Sequence, residues 1–341
     1  MKYKLLSVSN GPVQNIGDYI QALAASQFLP SIDGFINREE LASYDGEECK
    51  MIMNGWFMHH PEKWPPSNKI KPLFVAFHLN ESVKDQMLSD EKKDYFCVHE
   101  PIGCRDLYTA SALNDAGISA YFSGCLTLTL GLKYKKEENR EGVIVVDPMI
   151  PGSKSFKSII LDFCALSAHY SDILKISRKM FKGRKKSIVD LLYATRFYRC
   201  YSKWIDKGEL INATYIQQET EYYTKGFKDD FERLKEAERI VKIYAKAKYV
   251  LTSRIHCALP CLGLETPVYF SIKEDLDFIS SCRMGGLIEL FNYFTCSKTE
   301  VYPSFELEGV ISSDKVIMNK NIWQALADQL ATKCKSFVLE E

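Results

Sequence analysis

The chain has 341 residues, and its 44 basic and 44 acidic side chains cancel, so no global charge recruits nucleic acid. Hydrophobic residues make up 46% and charged residues 26%, the balance of a folded globular protein with length for two domains. Eleven cysteines without a C-x-x-C pair read as reduced thiols rather than a disulfide frame, and six histidines without ligand spacing give no reason to expect a metal.

Tyr3–Val8 reads as a first strand and not as a secretory leader. Ser9–Gly17 is a polar turn, after which apolar residues recur at helical spacing over Asp18–Leu29. Asn15-Ile-Gly-Asp18 is therefore a strand-to-helix junction. Asp18 either caps the helix, worth about 1 kcal/mol, or accepts hydrogen bonds from a ligand that Gly17 allows to approach closely.

Short units follow: a strand at Gly34–Ile36, a helix at Arg38–Tyr44 and a strand at Lys50–Asn54. Trp56, His59, His60 and Trp64 either stack on a sugar face or plug the core. Leu73–His78 reads as a strand, Ser82–Lys93 as a polar helix and Tyr95–His99 as a strand. The next helix runs from Cys104-Arg105-Asp106 to Asp115, and Ile118–Phe122 is a further strand. The uncharged run Ala116–Leu132 is too short and glycine-broken to span a bilayer. Strands alternating with short helices mean βαβ units and a parallel sheet.

Past a charged linker, Lys133–Glu141, a second series has strands at Val143–Asp147, Ala213–Gln217, Tyr249–Thr252 and Pro267–Ser271. Helices at Asp229–Lys246 and Arg254–Leu264 lie between them. Ser253 is placed to cap the second, with Arg254, Ile255 and His256 on its first turn, where free N–H groups and the dipole favour an anion. Asp147 and Gln217 end their strands on the side of Ser253 and are pocket-lining candidates. Lys175–Trp204 interleaves basic with aromatic residues, a pattern of peripheral contact with an anionic membrane or of a solvated loop followed by an amphipathic helix. The last helix, Asn321–Phe337, must bury Trp323, Leu326, Leu330 and Ala331. No dinucleotide or Walker motif occurs.

Asn15-Ile-Gly-Asp18, Cys104-Arg105-Asp106, Ser253-Arg254-Ile255-His256 and Gly263…Pro267-Val268, in this order along two α/β units, resemble the polysaccharide pyruvyl transferase family. Two departures are visible. Phe122-Ser-Gly-Cys125 stands where members usually carry Asp-Pro, and Pro260 falls inside the helix after the S-R-x-H turn, whose first turn should stay intact.

The resemblance implies an α/β protein of two Rossmann-like domains with parallel sheets, similar to GT-B glycosyltransferases, with the active site in the cleft between them. Residues 1–135 would form the acceptor side, 136–318 the phosphoenolpyruvate side, and 319–341 a terminal helix packed against or across the domains. The implied reaction moves the enolpyruvyl group of phosphoenolpyruvate onto two sugar hydroxyls, giving a pyruvate ketal and phosphate. Ser253, Arg254, Ile255 and His256 would bind the donor with Arg105 from across the cleft, and His256 would act as general acid. Asn15, Gly17, Asp18 and Asn54 would meet the acceptor, with Asp18 as contact or base. The resemblance implies no cofactor besides the donor, a free or lipid-linked sugar acceptor, and a cytoplasmic enzyme with at most peripheral contact to the inner membrane face through 175–204. Two other readings share the fold: a GT-B glycosyltransferase using a nucleotide sugar, and a non-catalytic sugar-binding relative.

Overall fold

The computed structural model describes residues 1–8, 13–135, 139–183, 185 and 187–340. The expected turn residues Ser9–Pro12, the linker centre at 136–138 with the 135/136 boundary, and Arg184 and Lys186 of the basic run lie outside the described residues.

The first half is a long parallel sheet bent in its middle. Phe35–Asn37, Lys2–Ser7, Cys49–Ile52 and Ile70–Leu73 pair side by side, all parallel. Gly55–Phe57, Phe77–Leu79, Ile102–Cys104 and Ala120–Phe122 form a second parallel set. Met53 N–H donates to Leu73 O at 2.8 Å and Gly103 N–H to Phe74 O at 3.0 Å, carrying the ladder across the bend. The expected single strands Lys50–Asn54 and Leu73–His78 are thus each interrupted; Ala76, at φ 53°, marks the second break.

The second half is a six-stranded sheet in the order Thr214–Ile216, Val143–Val146, Tyr249–Thr252, Val268–Lys273, Asn292–Cys296, Val301–Pro303. Only the last pairing is antiparallel. Central strands such as Tyr249–Thr252 are buried along their whole length, as a sheet covered on both faces requires.

Several expected elements differ. Tyr95–His99 is not a strand but the end of a helix, Asp90–Val98. Helical spacing sends Phe96 into contact with Trp64 at 5.2 Å between ring centroids and leaves Val98 in water. Ser82–Lys93 is three short pieces rather than one helix, and Arg38–Tyr44 forms one 3₁₀ turn, Arg38–Glu40, whose N-cap Asn37 accepts from Glu39 N–H. Most of Lys175–Trp204 falls in two helices, Tyr170–Met180 and Ile188–Tyr201. Phe197, Tyr198 and Tyr201 are buried, so these interleaved aromatics serve the core and not a membrane.

The halves share a central core cluster, besides a further cluster within each. Helix Ile16–Ser26 of the first packs between Asp230–Lys246 and Ile255–Gly263 of the second, and Tyr19 Oη donates to Asp230 Oδ1 at 2.6 Å. Gln14–Asn15 pairs antiparallel with Glu219–Thr220, a two-stranded clip across the halves. Gly131 and Gly263 form the tightest approach. A Cβ on Gly131 would lie 1.9 Å from Gly263 O, and one on Gly263 2.3 Å from Leu128 O. Helix Gln324–Leu339 returns to the first half, where Lys50 Nζ donates to Phe337 O at 2.8 Å. Among the described residues no helix is long and apolar enough to cross a membrane.

Candidate active site

A cleft of about 640 Å³ opens between the carboxyl ends of the two sheets' strands. Strand Tyr249–Thr252 delivers Ser253–His256 to its wall. The helix that follows begins at Ile255, one residue later than expected. Arg254 is extended, φ −92° and ψ 122°, and occupies the N-cap itself. Ser253 therefore does not cap: its Oγ donates to Asp147 O. Arg254 Nε donates to Asp147 Oδ2 at 2.9 Å and Nη1 to Glu219 Oε2 at 3.0 Å, a fork held by two carboxylates.

His256 carries a backbone break that Pro260 explains. Residue 260 lacks the N–H that would bond to the carbonyl four residues earlier, and its ring crowds that carbonyl. His256 accordingly leaves helical geometry, at φ −83° and ψ 17°, and its freed carbonyl accepts from Gln218 Nε2 at 3.2 Å. The first turn is thus broken and not intact. The imidazole packs on Gly17, where a Cβ would lie 3.0 Å from His256 Cβ and 3.3 Å from Nδ1. Gly17 makes room for this histidine from the other half. His256 is buried and lines the cleft, and its Nε2 has no partner among the described residues. Burial, reinforced by Arg105 and Arg283, holds its pKa well below the ordinary 6.5, so the ring is neutral in the free protein.

The first half supplies a second imidazole. His78, on strand Phe77–Leu79, reaches the cleft, and its Nδ1 lies 2.6 Å from Asp106 Oδ2. Asp106 caps helix Leu107–Asp115, its Oδ1 accepting from Thr109 N–H and Oγ1, both at 2.9 Å. A carboxylate so fixed makes Nδ1 the protonated nitrogen of a neutral His78. Burial and the Arg105 charge nevertheless lower its pKa to about 4.

Arg105 is fully buried beneath this floor. Asp106 Oδ2 is 3.7 Å from Nε, and among the described residues none of the three guanidinium nitrogens finds a hydrogen-bond acceptor. Desolvation lowers its pKa to about 10, so it still carries its charge at neutral pH. Arg283 lines the cleft, and its side chain has no polar partner among the described residues. Asp18, also in the cleft, has its carboxyl raised above the usual range by burial, against the pull of Arg38, Arg105 and Arg283. One guanidinium without a polar partner among the described residues, a second paired only loosely with Asp106 behind the floor, a neutral imidazole and a reluctant carboxylate make a site suited to a small anion.

A model of the polysaccharide pyruvyl transferase family matches residues 15–272, from the cap of the first helix into strand Val268–Lys273. The chain belongs to the polysaccharide pyruvyl transferase family. Membership makes it a transferase of polysaccharide biosynthesis with a sugar acceptor. No curated protein matches the chain. Among solved structures it is similar to an uncharacterised protein from Klebsiella pneumoniae, at 11% identity and TM-score 0.41 over 83% of this chain and 87% of that one. It is also similar to the Escherichia coli heptosyltransferase WaaC with ADP, at 10% identity and TM-score 0.32 over 98% of this chain and 100% of that one. At those scores neither bears on function.

Against the pyruvyl transferase motifs, the structure brings Asn15, Asp18, Ser253, Arg254, Ile255 and His256 to one cleft. Others stand elsewhere. Asn15, not Asp18, caps helix Ile16–Ser26, its Oδ1 accepting from Gly17 N–H at 2.8 Å. Asn54 is buried and donates to Gln21 O at 2.9 Å, tying strand to helix away from the cleft lining. Asp147 braces Arg254 instead of lining the pocket, and Gln217 only offers its carbonyl to Tyr223 Oη at 3.1 Å. Gln218, one residue on, is the lining residue. Arg105 lies behind the floor and does not face Arg254 across open space. Trp56 and His59 share an edge-to-face contact at 4.5 Å in the wall, with Arg38 over the indole at 4.5 Å, whereas Trp64 is core and His60 is at the surface. His78 and Arg283 were not anticipated; neither sits in a motif, and only the fold brings them in.

Proposed function

We propose that this transferase moves the enolpyruvyl group of phosphoenolpyruvate onto two hydroxyls of a sugar in a polysaccharide or glycolipid precursor. The products are a cyclic pyruvate ketal and inorganic phosphate. The observation carrying the reading is positive charge gathered at the cleft: Arg283 in its wall has no polar side-chain partner among the described residues, and behind the floor Arg105 keeps its charge with no hydrogen-bond acceptor among them. Buried guanidinium charge with a single carboxylate at 3.7 Å is incompletely compensated, and a compact polyanion in the cleft offsets that cost on binding.

In this reading the second half, with Ser253, Arg254, Ile255, His256 and Arg283, holds the donor, and Arg105 adds its positive field from behind the floor. The first half, with Asn15 and Asp18, faces the sugar, for which Trp56 offers a stacking face. The incoming polyanion raises the depressed pKa of His256, whose Nε2 then gives a proton to the methylene carbon. The cationic carbon is attacked by one hydroxyl, whose proton passes to Asp18. Phosphate departs with its bridging oxygen, and the second hydroxyl closes the ketal, its proton returning to His256 Nε2. The donor is a cytoplasmic metabolite, which places the reaction in that compartment; the sugar is free or lipid-linked.

Ligand-induced thermal shifts test the proposal. Phosphoenolpyruvate should raise the melting temperature in a concentration-dependent way while UDP and GDP do not. Stabilisation by a nucleotide diphosphate alone would instead support a nucleotide-sugar glycosyltransferase. His256→Ala should keep the phosphoenolpyruvate shift but abolish phosphate release in the presence of an accepted sugar.

A further inference from the structure

Helix Phe156–Ala168 is turned inside out. Its apolar residues recur at the spacing of one helical face, yet Phe156, Ile159, Ile160 and Phe163 are 79%, 52%, 45% and 70% exposed. The face packed against the protein is polar: Ser158 and Asp162 are each 3% exposed. Asp162 accepts from Arg196 Nε at 2.7 Å and Arg199 Nε at 3.0 Å, which locks this orientation onto helix Ile188–Tyr201. That neighbouring helix in turn leaves Ile188, Val189, Leu192 and Tyr193 in water. Burying such side chains is worth roughly 1.5–3 kcal/mol apiece, so an outward apolar face fixed by a buried ion pair marks a surface that is covered in use.

Charge selects the occupant. Residues 151–193 hold nine lysines and arginines against three aspartates in a chain of zero net charge. Of those aspartates Asp162 is buried in its pair and Asp172 is bound to Lys175 at 3.5 Å. Lys154 and Lys157 flank Phe156, and Arg178 and Lys182 line an apolar cleft of about 430 Å³ with Phe181 and Ile188. A second copy of this face would set one basic rim against another. Aromatic and aliphatic side chains ringed by lysine and arginine instead match the acyl boundary and headgroups of an anionic bilayer.

We infer that this face docks on an anionic lipid bilayer, with helix Phe156–Ala168 lying in the interface plane. The apolar residues enter the acyl boundary and the basic rim meets the headgroups. The docking residues come from helix Phe156–Ala168 and from the outer side of the basic-aromatic segment, whose Phe197, Tyr198 and Tyr201 are core. Met149, in the wall of the catalytic cleft, accepts at its carbonyl from Tyr201 Oη at 2.8 Å, so the cleft wall is anchored to the same helical layer.

Flotation of the full-length protein with vesicles tests this independently of any activity. The protein should float with phosphatidylcholine vesicles containing about 30 mol% phosphatidylglycerol, not with phosphatidylcholine alone, and about 0.5 M NaCl should weaken binding. Phe156→Glu/Phe163→Glu should lose at least tenfold in vesicle affinity at an unchanged melting temperature. Phe156→Ser/Phe163→Ser, without added charge, should show a smaller loss. Absence of flotation by the wild type, equal flotation by both variants, or a wild-type dimer that either pair converts to monomer without changing flotation would each overturn the inference.

Discussion

Arg105 is the residue whose environment is least self-sufficient. Its charge is desolvated and only loosely paired, with Asp106 at 3.7 Å, and Asp106 keeps His78 and Thr109 as partners, so replacing Arg105 with an apolar group of similar length should cost little stability while removing its function. Arg105→Met should leave the melting temperature nearly unchanged and weaken phosphoenolpyruvate binding severalfold through the lost positive field. A large fall in melting temperature would make Arg105 structural. His78 gives a pH signature. Folded, it refuses a proton down to about 4, whereas unfolded it takes one near the ordinary 6.5. The unfolded state binds more protons within that window, so stability present at neutral pH is lost as pH falls from 6.5 toward 4. Melting curves across those pH values should show the loss, and His78→Gln should flatten it; parallel curves would refute the assignment. Arg254 and His256 were legible because a strand, a cap-like serine and a helix adjoin in sequence. His78 and Arg283 were not, because each sits alone in its segment and only tertiary contacts give it neighbours. Gln217 was placed one residue short because the strand ends at Ile216 and the chain turns there.

Among the elements, helix Ile255–Gly263 concentrates the constraints. Pro260 breaks its first turn at His256, and Gly263 ends it against the backbone of Leu128. A methyl group there meets a carbonyl that cannot rotate away. Gly263→Ala should cost about 1–3 kcal/mol, the usual penalty of overpacking, with reduced activity through a displaced His256; urea denaturation would read the loss, and an unchanged midpoint would mean the segments separate freely. Secondary structure was most legible where burial agreed with local pattern: Tyr249–Thr252 runs as expected. It failed where the two disagreed. Tyr95–His99 has strand-forming residues, but a helix lets Tyr95 and Phe96 both reach Trp64, at 5.6 and 5.2 Å. The strands Asn292–Cys296 and Val301–Pro303 were missed because alternation is short and the second is an edge containing proline.

At the scale of the whole molecule, two parallel sheets facing a cleft were readable from alternating strand and helix signals. Their fusion was not, since it depends on side chains far apart in sequence. Buried residues of helix Ile16–Ser26, segment Leu126–Leu130, helix Ile255–Gly263 and helix Gln324–Leu339 belong to one continuous core. The halves should therefore melt together. Scanning calorimetry should show a single peak with equal calorimetric and van't Hoff enthalpies, and two resolved peaks would show that the halves are independent.

The clip between Asn15 and Glu219 has a consequence for biosynthesis. A ribosome adding 5–20 residues per second makes the first helix on the order of ten seconds or more before the strand that completes its entry, and longer still before Gly263 closes against Leu128. During that interval Ile16, Ile20 and Leu23, buried in the finished protein, lack the cover of helices Asp230–Lys246 and Ile255–Gly263. A nascent chain halted ahead of residue 219 should thus be held by chaperones and cut readily by protease, and become resistant only once the later segment has emerged from the exit tunnel.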